Sequence, residues 1–307
     1  MPQVLQYSEY GGPEVLKLVD VELPEPGEGQ VRVLVRAAGV NPIDWKLRRG
    51  FFAQGEPLTE PAGVGFEVAG VIDALGPGVD RWTVGQAVFG YVPTGGGVAT
   101  HAVTPADALV ARPEWLDENQ AAGMPLVVET ATRTLRELGV GEGHTLLVHA
   151  AAGGVGVIAS QLALARGARV VGTASPANHD FLRELGVVPV DYAADGLADR
   201  IRAAAPRGVD RVLDASGRDV LPLSIELTGS PDHVVTIADG RAAEFGVRFS
   251  SNQTPPADAT AEVLPLLERG DLRLPKTILY PLDEAVAAYR HSEDGHPRGK
   301  LVIRVQD

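Results

Sequence analysis

The run Leu146-Leu147-Val148-His149-Ala150-Ala151-Ala152-Gly153-Gly154-Val155-Gly156 has the residue types and spacing to hold a phosphate. An apolar strand pattern ends in small residues, and a helical pattern from Gly154 to Arg166 opens at once. Small side chains let a backbone approach a pyrophosphate. A helix N-terminus adds free N–H groups and a partial positive charge. In a G-x-G-x-x-G frame Ala151 takes the first position and Gly153 and Gly156 the others, with Ala152, Gly154 and Val155 between them. A tight strand-to-helix turn without a ligand uses the same residues, so glycine spacing alone does not decide. The strand-then-helix context favours the cradle.

The next strand pattern selects the nucleotide. It covers Arg169 to Thr173 and runs on through Ala174 and Ser175. An acid about 20 residues beyond the glycines binds the ribose diol of NAD. Ala174 stands in that place. A carboxylate there would repel a 2′-phosphate, whereas Ser175 offers it a hydroxyl and His179 a ring from the following helix. The expected cofactor is therefore NADPH. Ser175 or Asn178 can also serve as a cap for a helix over 178–185.

Around these residues lie two textures. The first third is β-rich: Val31 to Ala37, Glu67 to Leu75 and Ala87 to Val92 read as short strands, with a turn at Gly76-Pro77-Gly78. Such spacing predicts a small barrel-like domain. From about residue 120 a helical stretch, interrupted near Pro125, leads into alternating strands and helices. Strand patterns at Thr145 to His149, Arg169 to Thr173, Val187 to Val190, Val209 to Asp214 and Val234 to Ala238 imply βαβ crossovers. The fold class is α/β, with a doubly wound parallel sheet. A helix at Leu282 to His291 precedes a last strand, Lys300 to Val305, which either extends that sheet or returns to the first domain.

Composition narrows the classes. The chain has 307 residues, enough for two domains. A formal net charge of −13 argues against a nucleic-acid partner. No apolar run reaches the roughly 18 residues of a membrane span, and the N-terminus lacks a signal-peptide pattern, so a cytoplasmic protein is expected. There is no cysteine, hence no disulfide and no four-cysteine zinc site. His291 and His296 frame Ser-Glu-Asp-Gly, read here as a solvated turn, and no metal is expected.

Five segments together resemble one family. Asn41-Pro42-Ile43-Asp44 is similar to the N-P-x-D motif of zinc-independent medium-chain dehydrogenase/reductases. Gly65-Phe66-Glu67-Val68-Ala69-Gly70 is similar to their G-x-E-x-A-G strand, and Gly85-Gln86-Ala87-Val88-Phe89-Gly90 to a G-D-x-V-x-G turn. The cofactor turn with Gln161-Leu162-Ala163, and Gly299-Lys300-Leu301-Val302, complete the set. Their order and span resemble the quinone oxidoreductase and enoyl reductase branch, to which the lens zeta-crystallins are also similar. Zinc-dependent relatives carry a His where Phe66 stands and a Cys near Asn41.

The resemblance implies a GroES-like catalytic domain from 1–122 and 268–307, a Rossmann NADPH-binding domain at 123–267, and a homodimer acting on a small-molecule substrate. It implies hydride transfer to quinones or activated C=C bonds. A non-catalytic nucleotide-binding protein on the same fold, or an enoyl reductase dedicated to a secondary-metabolite pathway, are the alternatives. Catalytic candidates are Asn41, as amide donor to a carbonyl or to the nicotinamide, and Lys46, as a cation for an enolate. Asp44 would hold Lys46 in place, and Tyr91 is a further donor. A surface turn with an exposed ion pair suits Asp44 and Lys46 equally well, and a packed barrel residue suits Tyr91. Thr130 falls at a nicotinamide-binding position, although Val128 and Glu129 depart from the pattern there. Further cofactor contacts are expected from Thr173, Tyr192, Ala215, Ser216, Ile237, Ala238, Asn252 and Lys300.

Overall fold

The alternating apolar pattern of the first third becomes sheet in the computed structural model, which describes residues 1–53, 55–251, 256–295, 297 and 299–306. Strands β1 (Gln3–Tyr7) and β2 (Lys17–Asp20) precede the ten-residue β3 (Gln30–Gly39). Helix α1 (Pro42–Arg48) and the two-residue β4 (Ala62–Gly63) follow. Then come β5 (Glu67–Leu75), β6 (Ala87–Tyr91), β7 (His101–Pro105) and β8 (Leu109–Ala111). Helices α2 (Glu118–Ala122) and α3 (Pro125–Glu137) flank the break expected near Pro125. A proline at the first position of a helix costs no hydrogen bond, because that N–H has no helical partner.

The middle alternates as expected: β9 (Thr145–His149), α4 (Gly154–Ala165), β10 (Arg169–Ala174), α5 (His179–Glu184), β11 (Val188–Asp191) and α6 (Leu197–Ala204). After these come β12 (Arg211–Asp214), α7 (Leu221–Thr228), β13 (Val234–Thr236) and β14 (Arg248–Phe249). Helix α8 (Pro256–Glu268), β15 (Thr277–Pro281), α9 (Ala285–Asp294) and β16 (Lys300–Arg304) close the chain. The helix expected over 178–185 is shorter. A 3-10 turn, Pro176–Asn178, takes its first residue, because Pro176 fixes the entry just after Ser175.

Two compact units result. One comprises Met1–Leu126, Pro255–Leu264 and Lys276–Asp307; the other Val127–Thr254 and Pro265–Pro275. In the first, β15-β16-β3-β5-β6-β8 form a sheet with β7 also on β3, and β2-β1-β4 form a smaller one. β16 runs antiparallel to β3, with Val302 opposite Gly39, so the last strand belongs to the first unit. Val31, Val33 and Val35 are wholly buried on β3 and pack with Leu5, Ile72 and Tyr289. Each such valine contributes roughly 1.5–3 kcal/mol.

In the second unit the order is β11-β10-β9-β12-β13-β14, and every pairing is parallel. All five residues of β9 are buried, as a strand covered on both faces requires. The strand order reverses at β9 and β12. Ligands of such sheets bind beyond the strands' C-terminal ends at that point. Among the described residues no helix is long and apolar enough to cross a membrane.

Candidate active site

The turn between β9 and α4 is packed to backbone contact. A Cβ on Gly156 would lie 2.4 Å from the Ala150 carbonyl oxygen and 2.7 Å from Ala151 Cα. Only glycine lets the helix sit that close to the strand end. Ala150 itself takes a positive φ of 59°. The first helical hydrogen bond runs from Val157 N to Gly153 O (2.9 Å), so the N–H groups of Gly154, Val155 and Gly156 precede it. Around Gly153 the space is open: a Cβ there would meet only the Ala150 oxygen, at 3.3 Å. Ala152 lies in the same turn. Free N–H groups beside open space are what an anionic diphosphate needs, so these residues fit a dinucleotide.

At the end of β10, Thr173 and Ala174 are buried. Ser175 Oγ accepts from Asn178 Nδ2 at 3.1 Å, and the His179 ring stands 3.2 Å from the Ala174 carbonyl oxygen. Both side chains are thus engaged within their own turn. The register brings Asp191, at the end of β11, beside Ala174, and Asp191 Oδ1 accepts from Ala193 N at 2.9 Å. Tyr192 follows, with the Arg218 guanidinium 5.5 Å over its ring. Since β11 and β12 flank β10 and β9 on either side, this contact reaches across the ends of both inner strands.

Buried polar groups organise the remaining strand ends. Asp214 Oδ1 accepts from Ser216 N (2.8 Å), Ser216 Oγ (2.7 Å) and Gly217 N (3.1 Å), while Oδ2 accepts from Thr236 Oγ1 (2.8 Å). Thr236 in turn accepts from Ala238 N at 3.1 Å. This network sets the loops that carry Ala215, Ser216, Ile237 and Ala238. His149, 1% exposed, stands 3.2 Å from both Thr173 Oγ1 and Ser224 Oγ. Burial pushes its pKa down to about 4, against the pull of Asp214, so the ring is neutral at physiological pH. On α3, Thr130 Oγ1 is 3.4 Å from Glu129 Oε2. Asn252 lies outside the described residues.

The first unit holds a second cluster. Asn41 caps α1 and is 1% exposed. Its Nδ2 donates to Glu67 Oε1 at 2.7 Å, and its Oδ1 accepts from the Lys300 ammonium. Lys300 Nζ also donates to Val40 O (2.9 Å) and pairs with Glu67 Oε1 (2.7 Å). Glu67 Oε2 accepts from Leu126 N at 2.7 Å. Three acceptors thus surround the three N–H bonds of Lys300. Tyr91 is buried, and its hydroxyl donates to Pro125 O at 3.2 Å.

The expected Asp44–Lys46 pair is not what holds Asp44. Asp44 is 1% exposed, and its Oδ2 accepts from Asn41 N at 2.8 Å. Helix geometry explains the difference. The third residue of a helix faces back to the cap, whereas the fifth points elsewhere. Lys46 is half-buried, with Nζ 5.9 Å over the Trp45 ring. Burial drives the Asp44 pKa up to about 7, while the Asn41 N–H and the Lys300 charge pull the other way. Neither Asp44 Oδ1 nor the Tyr289 hydroxyl completes a hydrogen bond among the described residues, although the two groups are near enough to perturb each other.

Comparison with known proteins places this architecture. Residues 27–114 match the alcohol dehydrogenase GroES-like domain, and residues 185–303 match the zinc-binding dehydrogenase family. A quinone oxidoreductase of Pseudomonas aeruginosa is 32% identical over 99% of this chain and 99% of its own length. The chain belongs to the quinone oxidoreductase and enoyl reductase-like branch of the medium-chain dehydrogenase/reductases. The pikromycin polyketide synthase component PikAII of Streptomyces venezuelae is 36% identical over 91% of this chain, which spans only 8% of that protein. Solved structures that cover 99% of this chain are similar to it as well. The CurK enoyl reductase has a TM-score of 0.88 at 27% identity and is covered over 99% of its chain. The Escherichia coli quinone oxidoreductase complexed with NADPH has 0.86 at 25% and is covered in full.

Four further residues shape these clusters. Glu67 sat inside a recognised motif without a role, and its partners lie 26 and 233 positions away in the chain. His149 and Asp214 lie within the strands expected at Thr145 to His149 and Val209 to Asp214, and nothing in the local pattern marks Arg218. The described residues hold no group of three or more His, Cys, Asp or Glu side chains arranged for a metal.

Proposed function

We propose that this oxidoreductase is an NADPH-dependent reductase of quinones or activated C=C bonds that works without zinc. The observation that carries the reading is the β9–α4 turn, open at Gly153 and closed at Gly156, beside a β10 end that presents Ala174 and Ser175 rather than an acid. When bound, the nicotinamide supplies a hydride. Gly153, Gly154, Val155 and Gly156 would hold the diphosphate with Ala152. Thr173, Ser175, His179 and Tyr192 would line the adenosine ribose and its 2′-phosphate, joined by Arg218. Thr130, Ala215, Ser216, Ile237 and Ala238 would face the remainder.

In the first unit, Asn41 is the group proposed to meet the substrate carbonyl. A neutral amide N–H held in a buried cluster stabilises developing oxyanion charge without reorganising. Lys46 is the proposed source of positive charge near an enolate. Asp44 and Tyr91 are read as supports of the cluster, and Lys300 as a partner of Asn41 rather than of the cofactor. Phe66 in place of a ligand histidine supports zinc-free chemistry. The likeness to the E. coli enzyme complexed with NADPH supports the cofactor. Similarity to a polyketide synthase component and to the CurK enoyl reductase favours enoyl thioesters within the substrate class. The reading includes a cytoplasmic homodimer.

The test is oxidation of NADPH and NADH by the purified chain against quinones, enones and enoyl thioesters. Turnover with NADPH at least tenfold more efficient than with NADH is expected. Equal efficiency sinks the cofactor assignment. Tight NADPH binding with no turnover of any acceptor would make the protein a nucleotide-binding relative without this activity.

A further inference from the structure

We propose that the buried Lys300–Glu67 ion pair positions the Asn41 side chain, locking its amide in one of two orientations. This rests on the reading that Asn41 serves the reductase. An ammonium has donors only and a carboxylate acceptors only. The Asn41 atom facing Lys300 must therefore be the carbonyl oxygen, and the one facing Glu67 the amide nitrogen. Turning the amide over would set N–H against ammonium and oxygen against carboxylate, two repulsive contacts at once. An asparagine between hydroxyl groups, which can donate or accept, has no such constraint. Here the chemistry of the partners fixes which end is which. One amide hydrogen is committed to Glu67, and the second leaves the nitrogen in a defined direction.

The clamp is itself held. Glu67 is 0% exposed and Lys300 7%. Leu126 N occupies the other carboxylate oxygen, and Val40 O takes a further ammonium hydrogen. The backbone is cut away to admit both side chains. A Cβ on Gly39 would stand 2.2 Å from Glu67 Oε1, and one on Gly123 2.7 Å from Lys300 Cγ. A buried ion pair seldom adds stability over well-packed apolar residues of the same volume. Two glycines making room for one point to a geometric purpose. The strands deliver it: β16 pairs with the end of β3, β5 begins at Glu67, and Asn41 follows two residues after β3.

The experiment compares wild type, Asn41→Ala, the double variant Glu67→Gln/Lys300→Met, and the triple variant. Kinetics are read as kcat and KM separately, beside thermal melting. The double variant is expected to lose about tenfold or more in kcat, in line with the loss of a preorganised donor, while KM for the reduced nucleotide moves less than about threefold. In the Asn41→Ala background the same pair of substitutions is expected to cost less than about twofold in kcat, because groups acting through one residue are not additive. An equal loss in both backgrounds overturns the proposal, as does full kcat in Asn41→Ala. A second readout is independent of turnover. The Asn41 side-chain amide, assigned by its absence in Asn41→Ala, should exchange its hydrogens with solvent slowly in wild type and about tenfold or more faster in Glu67→Gln/Lys300→Met, where neither charged partner remains. Unchanged exchange overturns the proposal. Should the wild type reduce no acceptor, the functional reading fails, and the amide spectrum still judges the clamp.

Discussion

Glu129, which is buried, and Arg133, which is partly so, stand one turn apart on α3 and form a two-pronged ion pair: Nε to Oε1 is 2.7 Å and Nη2 to Oε2 is 3.2 Å. Arg133 also donates to Ser250 Oγ. The carboxylate that breaks the family pattern is therefore matched by a cation on the same helix face. Its charge is compensated within the second unit, and Thr130 keeps a polar neighbour.

Glu129→Leu should destabilise the second unit by about 1–3 kcal/mol, because it leaves a part-buried guanidinium without its carboxylate. Glu129→Leu/Arg133→Leu should recover most of that loss. Calorimetric melting of the three proteins checks both statements. A double variant no better than the single would mean that Arg133 is solvated and the pair is not a unit.

Asp44 predicts an opposite pH signature in the first unit. Its pKa is raised by burial to about 7 from an ordinary 3.8. Between those values the folded unit binds a proton that the unfolded chain does not, so stability falls as pH rises from about 4 to 7 and is flat above. The full effect is on the order of 4 kcal/mol. Asp44→Asn should remove this slope, measured by denaturant unfolding at several pH values. Retention of the slope in the variant refutes the assignment. His149, pushed down to about 4, works the other way in the second unit: stability there is lost as pH falls from about 6.5.

The contrast between these two residues shows what the sequence disclosed and what it hid. The glycine turn, the parallel sheet and the order of elements were legible, because local periodicity and turn chemistry encode them. Asp44 was legible as a motif member but not as a buried group, since the motif alone does not say which face of α1 meets α9. Glu67 and Lys300 lie 233 residues apart and meet only because β16 returns to β3. No local pattern carries that return. The ring of His149 faces Thr173, on a strand legible in the sequence, and Ser224, on a helix the local pattern did not mark.

Asp191 sets a limit on nucleotide preference. It stands in register with Ala174 at the edge of the expected 2′-phosphate region, where its charge opposes that of the phosphate. Asp191→Asn should raise the NADPH-to-NADH ratio of kcat/KM by roughly three- to tenfold, the size of a screened charge repulsion of about 1 kcal/mol. A fall in the ratio would show that Asp191 binds a ribose hydroxyl instead and that NADH is the native partner.

Gly153 and Gly156 should separate binding from folding. A methyl at position 156 collides with main-chain atoms of Ala150 and Ala151 that cannot move aside. Gly156→Ala should therefore cost about 1–3 kcal/mol of stability as well as nucleotide affinity. At position 153 the φ is −77° and the only near atom is the Ala150 oxygen, at 3.3 Å, so alanine needs a small adjustment and should cost less stability than at 156, about 1 kcal/mol or below. Gly153→Ala should weaken NADPH binding about tenfold or more, by fluorescence titration, with a melting curve closer to wild type than that of Gly156→Ala. If Gly153→Ala binds NADPH like the wild type, the diphosphate does not lie over this turn.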